Sequence, residues 1–192
     1  METIDFVLGL PKDIKENLNL LKIENYWDLI KLNSDMNLDF WSIAKWYLSQ
    51  KISNFLTKSW YKNNLVDLWW DIFASGFSLW NKKWRIWIES PFENKIIKYT
   101  DLTNKSLSTS WINKRKWNIW NKKFHHIKTP FENIQTNDIL SVSIIDDFWY
   151  KTDSLATALI SMWLEKSLNF VKQNNLKCFF VLSNWEILDF LK

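Results

Sequence analysis

The 192-residue sequence predicts an α+β fold in one domain, and three observations carry that reading. Short runs of strand length and apolar or alternating character recur along most of the chain. Helical periodicity is confined to a few grouped stretches. The two do not alternate regularly, as a doubly wound parallel sheet requires. There is no long linker, repeat or low-complexity tract, and the length suits a single core.

In chain order, Pro11-Lys12-Asp13 opens a short helix-like stretch to Leu21. Leu29 to Leu32 and Met36 to Phe40 read as short strands. Ser42 can cap a long helix through Lys58, with Ile43, Tyr47, Ile52, Phe55 and Leu56 on or near one face. Leu65 to Leu68 reads as a buried strand. Further strands are expected at Ile72 to Phe77, Arg85 to Glu89, Lys95 to Thr100, Ser106 to Ser110, Phe124 to Lys128 and Leu140 to Ile145. A second helix is expected from about Asp153 to Met162 and a third from Glu165 to Asn174. A final hairpin joins Cys178 to Ser183 with Glu186 to Phe190.

The single cysteine, Cys178, excludes an internal disulfide framework. It lies in the apolar run Cys178-Phe179-Phe180-Val181-Leu182 and is expected to be a buried small side chain. The net charge of +4 is modest. The basic stretches Lys114-Arg115-Lys116 and Lys122-Lys123 read as solvated loops, so no nucleic-acid partner is expected. No apolar run is long enough to span a membrane, and Met1-Glu2-Thr3-Ile4-Asp5 does not open a signal peptide.

Composition holds one anomaly. The chain has 15 Trp and 2 Gly, where average usage would give about 13 glycines. The tryptophans sit where a chain needs glycine. Asn184-Trp185 separates two strand-like runs, where a two-residue hairpin wants Asn-Gly with positive φ at both residues. Trp60 and Trp163 follow helical runs at the position that favours a C′ glycine. Trp69-Trp70 lies between an apolar strand and Asp71. A UGA codon read as glycine in the cell, but translated here as tryptophan, would produce this pattern. Exchanging 14 of the 15 would bring glycine to about 16, the ordinary level. A truly Trp-rich protein using stacking platforms for carbohydrate or nucleic acid is the other reading.

Three segments carry candidate chemistry. With glycine at the Trp positions, Leu38 to Tyr47 reads Leu-Asp-Phe-Gly-Ser-Ile-Ala-Lys-Gly-Tyr. A glycine-flanked helix start with Lys45 attracts phosphate, although an exposed helical lysine is commonly just solvated. Leu65 to Ala74 then has a Gly-Gly turn ending a strand, followed by Asp71. That suits a ligand rim, or equally a tight turn with a solvated carboxylate. Asp153 and Thr157 stand at i and i+4 on one helix face. Their hard oxygens suit Mg²⁺, and a helix-end carboxylate beside a buried threonine is the plain structural alternative. His125 and His126 are the two histidines; either could act as a base, or both could be structural.

Taken together and in order, these segments resemble the ApbE family, whose members are FAD:protein FMN transferases. The matching stretches are Leu38 to Tyr47, Leu65 to Gly76, Trp84 to Pro91, Ser108-Thr109-Ser110-Trp111, His126-Ile127 with Pro130, and Asp153 to Trp163. Trp84 matches a true tryptophan of the family pattern. The resemblance implies a T-fold-like α+β architecture with mixed sheets and packed helices. It implies FAD as substrate, Mg²⁺ as cofactor, and a protein acceptor that receives FMN on a threonine while AMP leaves. By the same resemblance Asp153, Thr157 and the Ala44 carbonyl hold the metal. His126 is the base, and Lys45 is an electrostatic clamp. Trp69, Trp70, Asp71, Thr109, Ser110 and Trp111 line the flavin pocket. Hydrolysis of FAD to FMN and AMP, or a non-catalytic flavin-binding fragment, are the competing functions. Family members carry a longer N-terminal portion that often begins with an export signal. Residues 1–192 are therefore expected to be a single domain lacking that portion, extracytoplasmic or in the cell envelope if such a signal exists.

Overall fold

The computed structural model describes residues 24–26, 29–31, 41–112, 116–119, 122–125, 127, 137–147 and 149–191. The chain divides into two units. Met1–Phe40 with Pro130–Glu132 form the first, which contains an antiparallel pair, β1 (Glu24–Tyr26) and β2 (Leu29–Lys31). The expected helix to Leu21 and the expected strand from Met36 to Phe40 lie outside the described residues.

The second unit, Trp41–Thr129 with Asn133–Lys192, is built on β10 (Ile139–Asp146), which is buried over nearly its whole length. A strand with both faces covered needs apolar or small residues throughout, and Ile-Leu-Ser-Val-Ser-Ile-Ile supplies them. Around it runs a six-stranded sheet in the order β12-β11-β10-β7-β4-β3, antiparallel at every pairing. Its other members are β3 (Asn64–Asp67), β4 (Asp71–Ser75), β7 (Lys105–Trp111), β11 (Lys177–Leu182) and β12 (Ile187–Asp189).

Strand alternation divides the core in two. Val142, Ile144, Cys178, Phe180 and Leu182 join Ala156, Leu159, Ile160, Phe170 and Val171 of two helices, α2 (Trp149–Ser161) and α3 (Leu164–Asn174). Phe179, Val181, Ile145, Leu107 and Ala74 face the other way. They meet Ile86, Ile88 and Leu102 of the hairpin β5 (Trp84–Glu89) and β6 (Ile96–Leu102). A further pair, β8 (Lys116–Ile119) and β9 (Lys122–His125), completes the described strands. The expected α+β class is the one observed.

Local expectations are corrected at four places. Lys116 lies in β8 and Lys122 and Lys123 lie in β9, not in loops, because the cross-strand pairing of these segments outweighs their basic, weakly apolar sequence. Helix α2 begins at Trp149, so Asp153 is inside the helix and not at its first turn. Helix α1 (Trp41–Lys58) buries Ser49 and Ser53, whereas Tyr47 and Phe55 are exposed. Ser53 donates to Asn64 Oδ1 at 2.6 Å, so a polar contact, not an apolar stripe, seats α1 on β3. Trp163 has an ordinary φ of −64° and serves as the N-cap of α3, not as a left-handed C′ residue.

The final hairpin differs in turn type. Trp185 has φ of +70° but Asn184 does not share it. The Trp185 amide donates to the Leu182 carbonyl at 3.1 Å, and Leu182 N–H donates to the Glu186 carbonyl at 2.9 Å. This is a three-residue loop, a turn followed by one left-handed bulge residue, so only the second of the two residues needs positive φ.

Cys178 is fully buried on β11, and burial followed by the charge of Asp189 pushes its thiol up to about 12. The reactive thiolate is thus scarce in the folded protein. Alkylation by iodoacetamide at pH 8 is expected to run at least about 10³-fold slower in the native protein than in denaturant. Mass spectrometry of timed samples checks this.

Candidate functional site

The site lies where α1 and α2 meet the β4–β7 side of the sheet. Asp71 opens β4 and pairs in register with Ser108 of β7. Alternation turns Asp71, Ser108 and Ser110 to the helical face, opposite Ala74 and Leu107. Small hydroxyl side chains on β7 bring α2 close to the strand. Ser108 and Thr152 share a hydrogen bond of 2.8 Å, and Ser110 and Thr157 one of 2.9 Å. Asp153 lies beside these anchors on α2.

Two carboxylates are buried here. Asp71 is 2% exposed and Asp153 is 4% exposed. Lys45, from the early turns of α1, forms an ion pair with Asp71 Oδ2. Burial raises the Asp71 pKa, and Lys45 opposes that rise. Asp153 is raised to about 7, first by burial and then by the charge of Asp71, with Lys45 again opposing. Asp71 Oδ1 and Asp153 Oδ2 accept no hydrogen bond among the described residues. Buried, unpartnered carboxylate oxygens are costly, and a bound cation is one way to satisfy them.

The residues expected from sequence divide into those the fold gathers and those it does not. Lys45, Asp71, Ser110, Asp153 and Thr157 line the seam between the helices and the sheet. Thr109 points to the opposite face, where its hydroxyl bonds Ser143 at 2.8 Å, since neighbouring strand residues cannot share a side. Trp111 ends β7 and is buried, its ring 5.7 Å from that of Trp70. Trp69 and Trp70 form the turn between β3 and β4, and the Trp70 carbonyl accepts from Thr109 N–H at 3.1 Å. Ala44 is an exposed residue of α1. His126 lies outside the described residues, and His125 is buried at the end of β9. Sequence reasoning did not single out Ser108 or Thr152. The strand period that places Ser110 toward α2 also places Ser108 there and could have found it, whereas Thr152 follows only from the packing of α2 on β7.

A mixed donor set suits this site better than a side-chain cage. Among the described residues no three of His, Cys, Asp and Glu converge on one point. Two carboxylates and a threonine hydroxyl are hard oxygen donors of the kind Mg²⁺ takes together with phosphate and water. A separate surface cleft of about 480 Å³, lined by Asn63, Phe77, Ser78, Leu79, Trp80, Lys82 and Trp84, shares none of these residues.

A sequence model of the ApbE family matches residues 7–180. The chain belongs to the ApbE family. A protein of Klebsiella pneumoniae named FAD:protein FMN transferase is 25% identical over 157 residues, covering 80% of this chain and 48% of the relative. One of Treponema pallidum with the same name is 30% identical over 149 residues, covering 72% and 41%. The chain thus spans about half the length of the curated relatives it matches. The crystal structure of the ApbE protein of Thermotoga maritima superposes with a TM-score of 0.80 at 20% identity, over 93% of this chain and 60% of that one. The α+β architecture described above is therefore the ApbE fold.

The raised Asp153 has a consequence for stability. A carboxyl that is protonated more readily when folded than when unfolded favours folding at low pH, and that advantage is lost as pH rises toward its folded value. With a folded value of about 7, metal-free protein should lose stability between about pH 4 and 7. Asp153→Asn should flatten that slope, as read by urea denaturation across the range.

Proposed function

We propose that this chain carries the catalytic centre of a magnesium-dependent FAD:protein FMN transferase. The buried, incompletely partnered pair Asp71 and Asp153, set beside Lys45 and Thr157 in an ApbE-family fold, is the observation that supports it most. The names of the Klebsiella and Treponema relatives support the substrate and acceptor class.

In the proposed reaction a threonine hydroxyl of the acceptor protein attacks the phosphorus on the FMN side of the FAD diphosphate. The bond from that phosphorus to the bridging oxygen breaks. AMP leaves with the bridging oxygen, and FMN remains attached to the threonine through a phosphoester. His126 takes the threonine proton. Mg²⁺ held by Asp153, Thr157 and the Ala44 carbonyl would supply neutralisation of the diphosphate charge. Lys45 pairs with Asp71 and opposes the rise in its pKa that burial imposes, which favours a negative charge at the rim of the site. The hydroxyl pairs of Ser108 and Ser110 orient α2, so that Asp153 and Thr157 present their oxygens in one direction.

Purified protein mixed with FAD, Mg²⁺ and an acceptor protein should yield covalently bound flavin, visible as fluorescence in a denaturing gel, with AMP in equal amount. Asp153→Ala should remove the magnesium-dependent turnover. His126→Asn should leave FAD binding intact and slow transfer by about 10²–10⁴-fold. Slow transfer in His125→Asn instead would move the base to that residue. AMP release without a labelled acceptor would identify FAD hydrolysis as the activity.

A further inference from the structure

Among the described residues, eight other than glycine have positive φ, and they are of two kinds. Asn81, Asn104 and Asn175 lie at φ of +57°, +52° and +50°. Asparagine tolerates this region because its short polar side chain can bond locally. The other five are tryptophans: Trp60 at +75°, Trp69 at +55°, Trp70 at +70°, Trp80 at +54° and Trp185 at +70°. A bulky side chain on Cβ is strained there, so tryptophan is among the last residues expected.

Each of the five occupies the glycine position of a defined turn. At the end of α1, Tyr61 N–H donates to the Leu56 carbonyl at 2.9 Å and Trp60 N–H to the Thr57 carbonyl at 3.3 Å. That is the Schellman pattern, with Trp60 as its left-handed C′ residue. Trp69 and Trp70 are the two central residues of the tight β3–β4 hairpin, where Leu68 N–H donates to the Asp71 carbonyl at 3.0 Å. Both have positive φ, which strongly favours Gly-Gly. Trp80 and Asn81 are the centre of a turn closed by Lys82 N–H on the Leu79 carbonyl at 3.3 Å, a place for Gly-Asn. Trp185 is the left-handed bulge residue of the β11–β12 hairpin.

Packing offsets the strain at only two of the five, Trp185, whose ring stacks on Phe92 at 3.6 Å, and Trp70, whose ring lies 5.7 Å from that of Trp111. Trp60 is 89% exposed and Trp80 is 84% exposed, and Trp69 is also exposed. Trp84 is the contrast. It lies in β5 without positive φ, is partly buried, and its Nε1–H donates to the Ser75 carbonyl at 3.0 Å.

We infer that positions 60, 69, 70, 80 and 185 are glycine in the working protein, encoded by UGA codons that its cell reads as glycine, and that Trp84 is a true tryptophan. Glycine at 69 and 70 strips two indoles from the turn that presents Asp71 and opens its main chain to close approach by a ligand. That last consequence rests on the functional reading above; the identity of the residues does not.

Peptide mass spectrometry on the protein isolated from its own cells decides the matter. Peptides spanning positions 60, 69 to 70, 80 and 185 should carry glycine, and the peptide with position 84 should carry tryptophan. Tryptophan at the five positions overturns the inference. A second measurement uses recombinant protein made with tryptophan throughout. Trp60→Gly, Trp80→Gly, Trp185→Gly and the double change at 69 and 70 should each shift the folding equilibrium toward the native state, by roughly fivefold per residue. Trp84→Gly should shift it the other way by more than about tenfold. A fivefold-substituted protein with no gain in stability would count against glycine at these positions. None of these readouts depends on flavin transfer.

Discussion

Two acids held out of water at close range are the constraint around which this unit is arranged. Burying Asp71 and Asp153 near one another is unfavourable twice, through lost hydration and through repulsion. Lys45 relieves one of them directly. That requires α1 to cross the sheet where its early turns reach the start of β4. The polar seat of Ser53 on Asn64 fixes the far half of the same helix. The sheet order places β4 next to β7, so that α2 can rest on serines and bring Asp153 toward Asp71. Alternatives with fewer buried charges would be easier to fold, and such an arrangement is the kind that functional sites retain.

The two faces of the six-stranded sheet divide the labour. One holds the β5–β6 hairpin by apolar contact, through Ile86, Ile88 and Leu102. The other begins as an apolar core under α2 and α3, then gives way toward β7 and β4 to hydroxyls and carboxylates. The apolar part supplies the stability that a strained polar region lacks. Cys178, Phe180 and Val142 lie in the first region, whereas Ser108, Ser110 and Asp71 lie in the second.

Much of this was legible in the sequence where one period dominated a segment. β10, β11 and α3 are recognisable from apolar runs and spacing alone, and the i, i+4 relation of Asp153 and Thr157 needs only helical geometry. What depends on partners was not legible. Nothing local in Lys116–Ile119 marks a strand, since β9 makes it one. The apolar residues of α1 suggested a buried stripe through Tyr47 and Phe55, but the neighbours of α1 are polar and close, so its serines face inward. Lys45 and Asp71 each drew notice, yet their pairing spans 26 residues and follows only from the fold. The burial of Asp71 was equally hidden, because a carboxylate after a turn is more commonly solvated. That Thr109 turns away from Ser110 follows from something the sequence did contain: adjacent residues of one strand face apart.

The two hydroxyl pairs beneath α2 also act as a key. Thr152 and Thr157 are anchored to different residues of one strand, at points about 7.5 Å apart along the helix axis and about 140° apart around it. An apolar contact tolerates slippage, because one methyl can replace another. Directional bonds at two heights and two azimuths do not, so rotation and translation of the helix are locked together. Asp153 falls within the arc that the two anchors span. Its aim is thereby set by the seam below it, much as the teeth of a lock fix the angle of a bolt, and any sliding of α2 along β7 would swing the carboxylate away from Asp71.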